Sequence, residues 1–215
     1  MTLMYRLVML IAAPIVRWWG RLSVVGEENL PPTGPVLLLS NHDSHWDPVV
    51  IGVAAVRRRQ IRALAKHSLW KNPILAFVLN GMGQIPIVRG TSDTDALASA
   101  VSELKDGHCI GVFPEGTISR GATLRARSGA GRIAQAVPEA TIVSCRVVGS
   151  TDIVRFPKRP RMRVELWVSE AGKPGRENVY PTALVRRLMA EIREGAPFTA
   201  AGRRPKAPAE SPQAA

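Results

Sequence analysis

Between Asn41 and Pro48 the chain reads Asn-His-Asp-Ser-His-Trp-Asp-Pro, which gathers two imidazoles and two carboxylates in eight residues. A carboxylate that accepts the Nδ1 proton of a histidine leaves Nε2 as a base near neutrality, able to take the proton of a hydroxyl. His42 and Asp47 are five positions apart, about 140° around a regular helix, so a turn that tightens into a helix is needed to bring them together. His45 competes as the base and Asp43 as the carboxylate. Asn41, Asp43 and Ser44 are also ordinary helix caps, with the histidines then pointing outward, so the spacing alone leaves the pairing open. There is no Gly-x-Ser-x-Gly segment, and neither Cys109 nor Cys145 is followed by a histidine at a telling distance. Direct attack by a substrate that the histidine activates is therefore favoured over a covalent enzyme intermediate.

Two later segments have the composition of ligand contacts. In Gly83-Gln84-Ile85-Pro86-Ile87-Val88-Arg89-Gly90, Arg89 follows a short apolar run and is flanked by turn formers, leaving room for a two-point grip on a phosphate; a plain surface arginine has the same look. In Phe113-Pro114-Glu115-Gly116-Thr117-Ile118-Ser119-Arg120, a charged residue stands between proline and glycine at the end of an apolar run. Glu115 can accept backbone N–H groups and so fix this turn, or it can align a substrate hydroxyl or an arginine. Arg120 offers a second anion contact.

The elements that must position these residues follow from hydrophobic pattern. Pro35–Ser40 is continuously apolar and too short for a helix, which predicts a buried parallel strand that ends at the first segment. Cys109–Phe113 does the same for the third. Strands are also expected at 22–25, 61–65, 85–88 and 141–148, and at 162–168 as a half-exposed edge strand. Helices are expected at 48–56, 67–80, 92–106, 130–137 and from Pro181 onward, the last with the stripe Leu184, Val185, Leu188, Met189, Ile192. Strands alternating with helices predict a single α/β domain on a largely parallel central sheet flanked by helices, with antiparallel additions near 141–168. Loops leaving the C-terminal ends of such strands are where α/β proteins place their chemistry.

The chain has 215 residues, 46% hydrophobic against 21% charged, enough for one core and too apolar to be disordered throughout. Its 29 Lys+Arg against 17 Asp+Glu give +12, which calls for an anionic partner. With two Tyr and four Phe and no stacking pattern, nucleic acid is a poor fit. Cys109 and Cys145 read as buried thiols rather than a disulfide or zinc pair. Residues 1–20 carry an apolar run from Leu7 to Val16 between Arg6 and Arg17, half of the roughly 20 residues a span requires. With Trp18 and Trp19 beside it, this reads as a membrane-surface anchor helix; the alternatives are a signal peptide, against which Arg17, Trp18 and Trp19 stand where a small-residue cleavage site belongs, and a first helix packed on the domain. The basic set Arg57, Arg58, Arg59, Arg62, Lys66, Lys71, next to an apolar stretch from Leu69, suits anionic headgroups. The cluster Arg155, Lys158, Arg159, Arg161, Arg163 suits the phosphates of a donor. Residues 21–195 form the domain, and 196–215 a disordered basic tail rich in Ala and Pro.

Taken together and in this order, NHDSHWD, GQIPIVR and FPEGT with Arg120 nearby resemble the glycerolipid acyltransferase family that includes the 1-acylglycerol-3-phosphate acyltransferases. The approach Gly26-Glu27-Glu28-Asn29-Leu30-Pro31 is similar as well, and the resemblance covers about residues 24–148. It implies that His42 is the general base and Asp47 its orienting carboxylate. It implies that Arg89 contacts the acceptor's phosphate and that Glu115 and Gly116, with Thr117 and Arg120 in the same block, shape the acceptor site. The reaction implied is transfer of a fatty acyl chain from acyl-CoA or acyl-carrier protein to the free hydroxyl of 1-acylglycerol-3-phosphate, with no metal or bound cofactor. It would take place at the cytoplasmic side of the cell membrane, with the enzyme peripheral or monotopic. Other lysophospholipid or glycolipid acceptors, or a lipid-binding protein without turnover, are the alternatives. The chain departs from the family's pattern in two places. Ile118 and Ser119 precede Arg120, where an arginine often follows the threonine directly, and the strand at 142–147 lacks the family's usual proline.

Overall fold

The computed structural model describes residues 1–88, 94–119, 122–153, 159–173 and 180–196. Seven strands form one sheet: β1 Ser23–Val25, β2 Val36–Ser40, β3 Ile61–Lys66, β4 Ile85–Ile87, β5 Cys109–Val112, β6 Thr141–Val148 and β7 Arg163–Trp167. Their order is β1-β7-β6-β2-β5-β3-β4, and all neighbours run parallel except the β6/β7 pair. Among the described residues six α-helices accompany them: α1 Leu3–Ala13, α2 Asp47–Ala55, α3 Pro73–Gly81, α4 Thr94–Lys105, α5 Gly129–Ala136 and α6 Pro181–Glu194.

β2 is buried at every position, as its unbroken apolar run requires. Its alternate residues face opposite layers. Val36 and Leu38 join α1, α2 and Val143, Cys145 and Val164 in one core cluster, while Leu37 and Leu39 join α4, α5 and α6 with Ile110 and Ile142 in the other. The chain leaves β2 through α2 on the first face and leaves β5 through α5 on the second. Adjacent parallel strands whose connections depart to opposite faces open a crevice at their C-terminal ends.

Several expectations are corrected. Residues 162–168 are not a sheet edge: β7 lies between β1 and β6, so Met162, Val164 and Leu166 are buried on one side, and the short β1 is the edge. The helix expected over 67–80 is two pieces, a 3₁₀ turn His67–Lys71 and α3. Asn72 stops the first and caps the second by accepting the N–H groups of Ile74 and Leu75. In the basic set, Arg59 is buried and donates to the carbonyls of Pro31 (2.9 Å) and Gly107 (2.7 Å), Arg58 donates to Leu30 and Glu28, and Arg62 pairs with Glu103. These three hold loops inside the domain, leaving Arg57, Lys66 and Lys71 exposed. Arg155 and Lys158 of the second cluster lie outside the described residues, as do the first two positions of the helix expected at 92–106 and the tail beyond Ala196.

The N-terminal segment set apart as an anchor packs into the core. Tyr5, Met9, Ala12 and Val16 recur at helical spacing and are buried, the last in a π-helical turn Pro14–Trp19 that continues α1. Gly52 of α2 makes the approach possible, since a Cβ there would stand 2.7 Å from Met9 Sδ. Arg17 donates to the Val53 carbonyl at 3.0 Å, and Arg159 stacks over Trp18 at 4.7 Å. The opposite face leaves Leu3, Leu7, Leu10, Ile11 and Trp18 exposed, next to α3 with Ile74 and Phe77 also exposed. Among the described residues no helix is long and apolar enough to cross a membrane. Cys109 and Cys145 are buried free thiols that desolvation pushes up to about 12.

Two glycines of α5 separate packing from propensity. A Cβ on Gly131 would lie 2.2 Å from the Pro181 carbonyl oxygen, where α6 begins, whereas one on Gly129 meets only Leu97 Cδ2 at 3.6 Å. Gly131→Ala is expected to lower stability by about 1–3 kcal/mol and Gly129→Ala to be neutral or to raise it by up to about 1 kcal/mol. Urea midpoints of the two variants check this.

Candidate active site

The crevice is lined by the chain where it leaves β2, β5 and β6. After Ser40 the backbone turns through Asn41–Trp46 and enters α2 at Asp47, whose side chain folds back into that turn. Asp47 Oδ2 accepts the N–H groups of Asp43 (2.7 Å) and Ser44 (2.8 Å), and Oδ1 accepts the hydroxyl of Ser150 at 2.5 Å. This is the tightening that the five-residue spacing demands: His42 Nδ1 comes to 3.1 Å from Asp47 Oδ2. Asp47 has no exposed surface and His42 is 6% exposed, while His45 is exposed and takes no part. A carboxylate held by these donors is an acceptor, so the imidazole proton sits on Nδ1 and the lone pair on Nε2. Nε2 has no hydrogen-bond partner among the described residues, and Phe113 stacks on the ring at 4.2 Å between centroids, fixing its plane.

Asn41 locks the loop to the sheet, donating to the Val147 carbonyl (2.8 Å) and accepting the Val147 N–H (2.9 Å). The backbone of His42 is held on both sides. Its N–H donates to Glu115 Oε2 at 2.9 Å and its carbonyl accepts the Ser119 N–H at 2.8 Å. Glu115, 4% exposed, also receives a two-point grip from Arg193, Nε to Oε1 at 2.7 Å and Nη2 to Oε2 at 2.6 Å. Arg193 Nη1 reaches Asp43 at 2.9 and 3.0 Å, and the Ser119 hydroxyl donates to the same carboxylate. Desolvation raises the pKa of Glu115, with Arg193 and the His42 N–H pulling it back down. Gly116 adopts φ +69°, and a Cβ there would meet Arg127 Nε at 2.8 Å; Thr117 is exposed beside it. Arg89 and Arg120 lie outside the described residues.

Of the expected site residues, the structure thus brings His42, Asp47, Glu115 and Gly116 together and leaves Thr117 at the rim. Asp43, the competing carboxylate, faces Arg193 rather than the imidazole. Ser150 and Arg193 were not anticipated. Ser150 follows the end of β6 and carries no local signature. Arg193 does continue the inward row Val185, Met189 of α6, and an arginine on an apolar row is the signal that marks it.

A histidine hydrogen-bonded to a buried aspartate at the C-terminal edge of a largely parallel sheet is an arrangement in which the imidazole can act as a base. The acyltransferase family profile matches residues 21–148, and the chain belongs to that family. It is similar to the 1-acyl-sn-glycerol-3-phosphate acyltransferase of Borreliella burgdorferi, 36% identical over 107 residues, 49% of this chain and 42% of that protein. The Bacillus subtilis protein of the same name is 27% identical over 117 residues, 51% of this chain and 58% of its own. The matched segments span about half the length of these relatives. The crystal structure of the 1-acyl-sn-glycerophosphate acyltransferase PlsC from Thermotoga maritima superposes with TM-score 0.69 at 18% identity, over 89% of this chain and 77% of that one, which establishes the shared fold.

The Glu115–Arg193 pair makes a stability prediction. Removing the Glu115 charge leaves the nearly buried Arg193 still paired with Asp43 but with its two-point contact weakened, so Glu115→Gln is expected to cost about 1–3 kcal/mol. Thr117→Ala, two residues along but exposed, should change stability by less than about 0.5 kcal/mol. Chemical denaturation of both variants checks the contrast.

Proposed function

We propose that this protein transfers a fatty acyl chain from acyl-CoA or acyl-carrier protein to the free hydroxyl of 1-acylglycerol-3-phosphate, giving phosphatidic acid. The observation that carries the reading is His42, its Nδ1 engaged by a buried Asp47 and its Nε2 without a hydrogen-bond partner among the described residues. Nε2 takes the proton of the acceptor hydroxyl as the oxygen attacks the thioester carbonyl carbon. The tetrahedral intermediate collapses, the C–S bond breaks, and the imidazolium gives its proton to the departing thiolate. The scheme draws on no metal and no resident cofactor. The resemblance assigns Arg89 to the acceptor's phosphate, and Arg120, displaced from the family's usual position, offers a second anion contact. Glu115 acts by holding the His42 backbone and the turn at Gly116, with Thr117 at the mouth of the acceptor site. The names of the relatives support the choice of acceptor. The same hydroxyl chemistry would serve another lysophospholipid or a glycolipid, and a head-group screen separates these acceptors.

His42→Ala is expected to abolish CoA release from a long-chain acyl-CoA and lysophosphatidate, and Asp47→Asn to reduce it by about two to four orders of magnitude. More than a tenth of normal turnover in the His42→Ala protein would remove His42 from the mechanism. Arg89→Ala should raise the KM for lysophosphatidate well above any change in the KM for acyl-CoA, because one substrate alone loses a charge-assisted contact.

A lipid substrate requires a membrane surface, and the apolar face shared by α1 and α3 is suited to it. Leu7, Leu10, Ile11, Trp18, Ile74 and Phe77 are exposed together, with Arg6 and Lys71 also exposed for anionic headgroups. We place the enzyme on the cytoplasmic side of the cell membrane, peripheral or monotopic. Ile11→Glu combined with Phe77→Glu should abolish co-sedimentation with anionic vesicles while leaving thermal stability near normal, since neither side chain belongs to the core. Unchanged sedimentation would exclude this face as the membrane contact.

A further inference from the structure

Outside the motif residues, the side chain most deeply engaged with the site is Arg193, in the last turn of α6 and beyond the segment 21–148 that the family profile matches. Three carboxylates, Asp43, Asp47 and Glu115, surround the backbone and ring of His42. Asp47 is satisfied by two N–H groups, the Ser150 hydroxyl and the imidazole. Asp43 and Glu115 come from different loops and share the one guanidinium of Arg193, whose side chain is 10% exposed. The helix end that presents Arg193 is itself pinned to the sheet. Arg146 of β6 donates to the carbonyls of Ile192 (2.9 Å) and Glu191 (2.7 Å) and pairs with Glu165 of β7 at 2.6 Å. A line of charge-assisted contacts therefore runs from the sheet through the end of α6 to the N–H of His42.

We propose that Arg193 is a positioning residue for the His42 base: by bridging Asp43 and Glu115 it closes the turn after β2 onto the turn after β5 and so sets where Nε2 stands. The proposal rests on the reading of His42 as the general base. Without the guanidinium, two neighbouring carboxylates in a poorly solvated place repel each other. Asp43 and the Glu115 that holds the His42 N–H then move apart. An error on the order of 1 Å in the base is enough to cost about 10²-fold in rate. Lysine carries the charge but not the planar fork, so it can hold one carboxylate well and the other poorly.

The test compares the full-length wild type with Arg193→Gln and Arg193→Lys. Steady-state kinetics with acyl-CoA and lysophosphatidate in mixed micelles should show kcat falling about 10²-fold in the Gln variant and about 10-fold in the Lys variant. KM for both substrates should stay within about threefold of wild type, because the residue touches neither substrate. Hydrogen exchange should speed at the His42 amide in the Gln variant and remain unchanged in β2. A rise in the acceptor KM at constant kcat would overturn the proposal in favour of a substrate ligand. A lower melting temperature with normal kcat per folded molecule would overturn it in favour of a purely structural role. If the Gln variant does not fold, the Lys variant decides by the same split between kcat and KM. If the wild type fails to release thiol with lysophosphatidate, the acceptor reading fails by itself. The exchange comparison still decides Arg193, and an equally protected His42 amide in the variants would overturn the proposal.

Discussion

A carboxylate with no exposed surface at Asp47 is the constraint from which the rest of the site follows. Burying an ionised group without partners costs several kcal/mol, so the fold must bring donors to it. It does so with two N–H groups from the turn after β2, a hydroxyl from the end of β6 and the imidazole of His42. Meeting that demand folds the turn back on the first residue of α2, and the same fold places His42 Nδ1 against the carboxylate. The placement of the imidazole is thus a by-product of satisfying a buried carboxylate. It is available only because β6, β2 and β5 are adjacent and parallel, with their C-terminal ends on one edge.

One buried charge leads to others. Drawing the turn inward brings Asp43 and the Glu115 of the next loop close together, and an arginine from α6 balances both. Glu115 shows how the competing effects resolve. Desolvation pushes its pKa up, but a two-point guanidinium contact and a backbone N–H act in the opposite direction. The C-terminal helix is therefore part of the site, although its sequence lies beyond the matched family segment.

How much of this was legible in the sequence depended on range. The interior strands and α6 follow from local pattern, because continuous apolar runs and a stripe of apolar residues each have one low-energy solution. The pairing at His42 and Asp47 was one of several local options, and the turn geometry that selects it depends on Ser150, more than 100 residues away in sequence. Arg193 and Asp43 are 150 residues apart, a separation at which spacing carries no information. The split between the 3₁₀ turn and α3 turns on Asn72, whose extended backbone ends one piece while its side chain caps the next, and an apolar pattern over 67–80 does not report that. Alternation of charged and apolar residues over 162–168 predicts an edge strand, whereas β7 is paired on both sides. That pattern reports one open face and is silent on whether both edges are paired.

Net charge does not report how the charge is distributed over the fold. The value of +12 calls for an anionic partner, yet a basic residue is available to a partner only if the fold does not use it. Arg58, Arg59 and Arg62 hold backbone carbonyls or Glu103, Arg17 holds α1 to α2, and Arg159 holds Trp18. Arginine suits these tasks because its fork of donors can satisfy several carbonyls at once and its stem packs on apolar surface. Of these, Arg17 and Arg159 bear on the exposed apolar face, Arg17 by tying the turn that continues α1 to α2 and Arg159 by covering Trp18. Arg58, Arg59 and Arg62 instead hold the loops at Glu28–Pro31 and Gly107 and the α4 residue Glu103, so much of the charge counted in the sequence is spent on the domain itself.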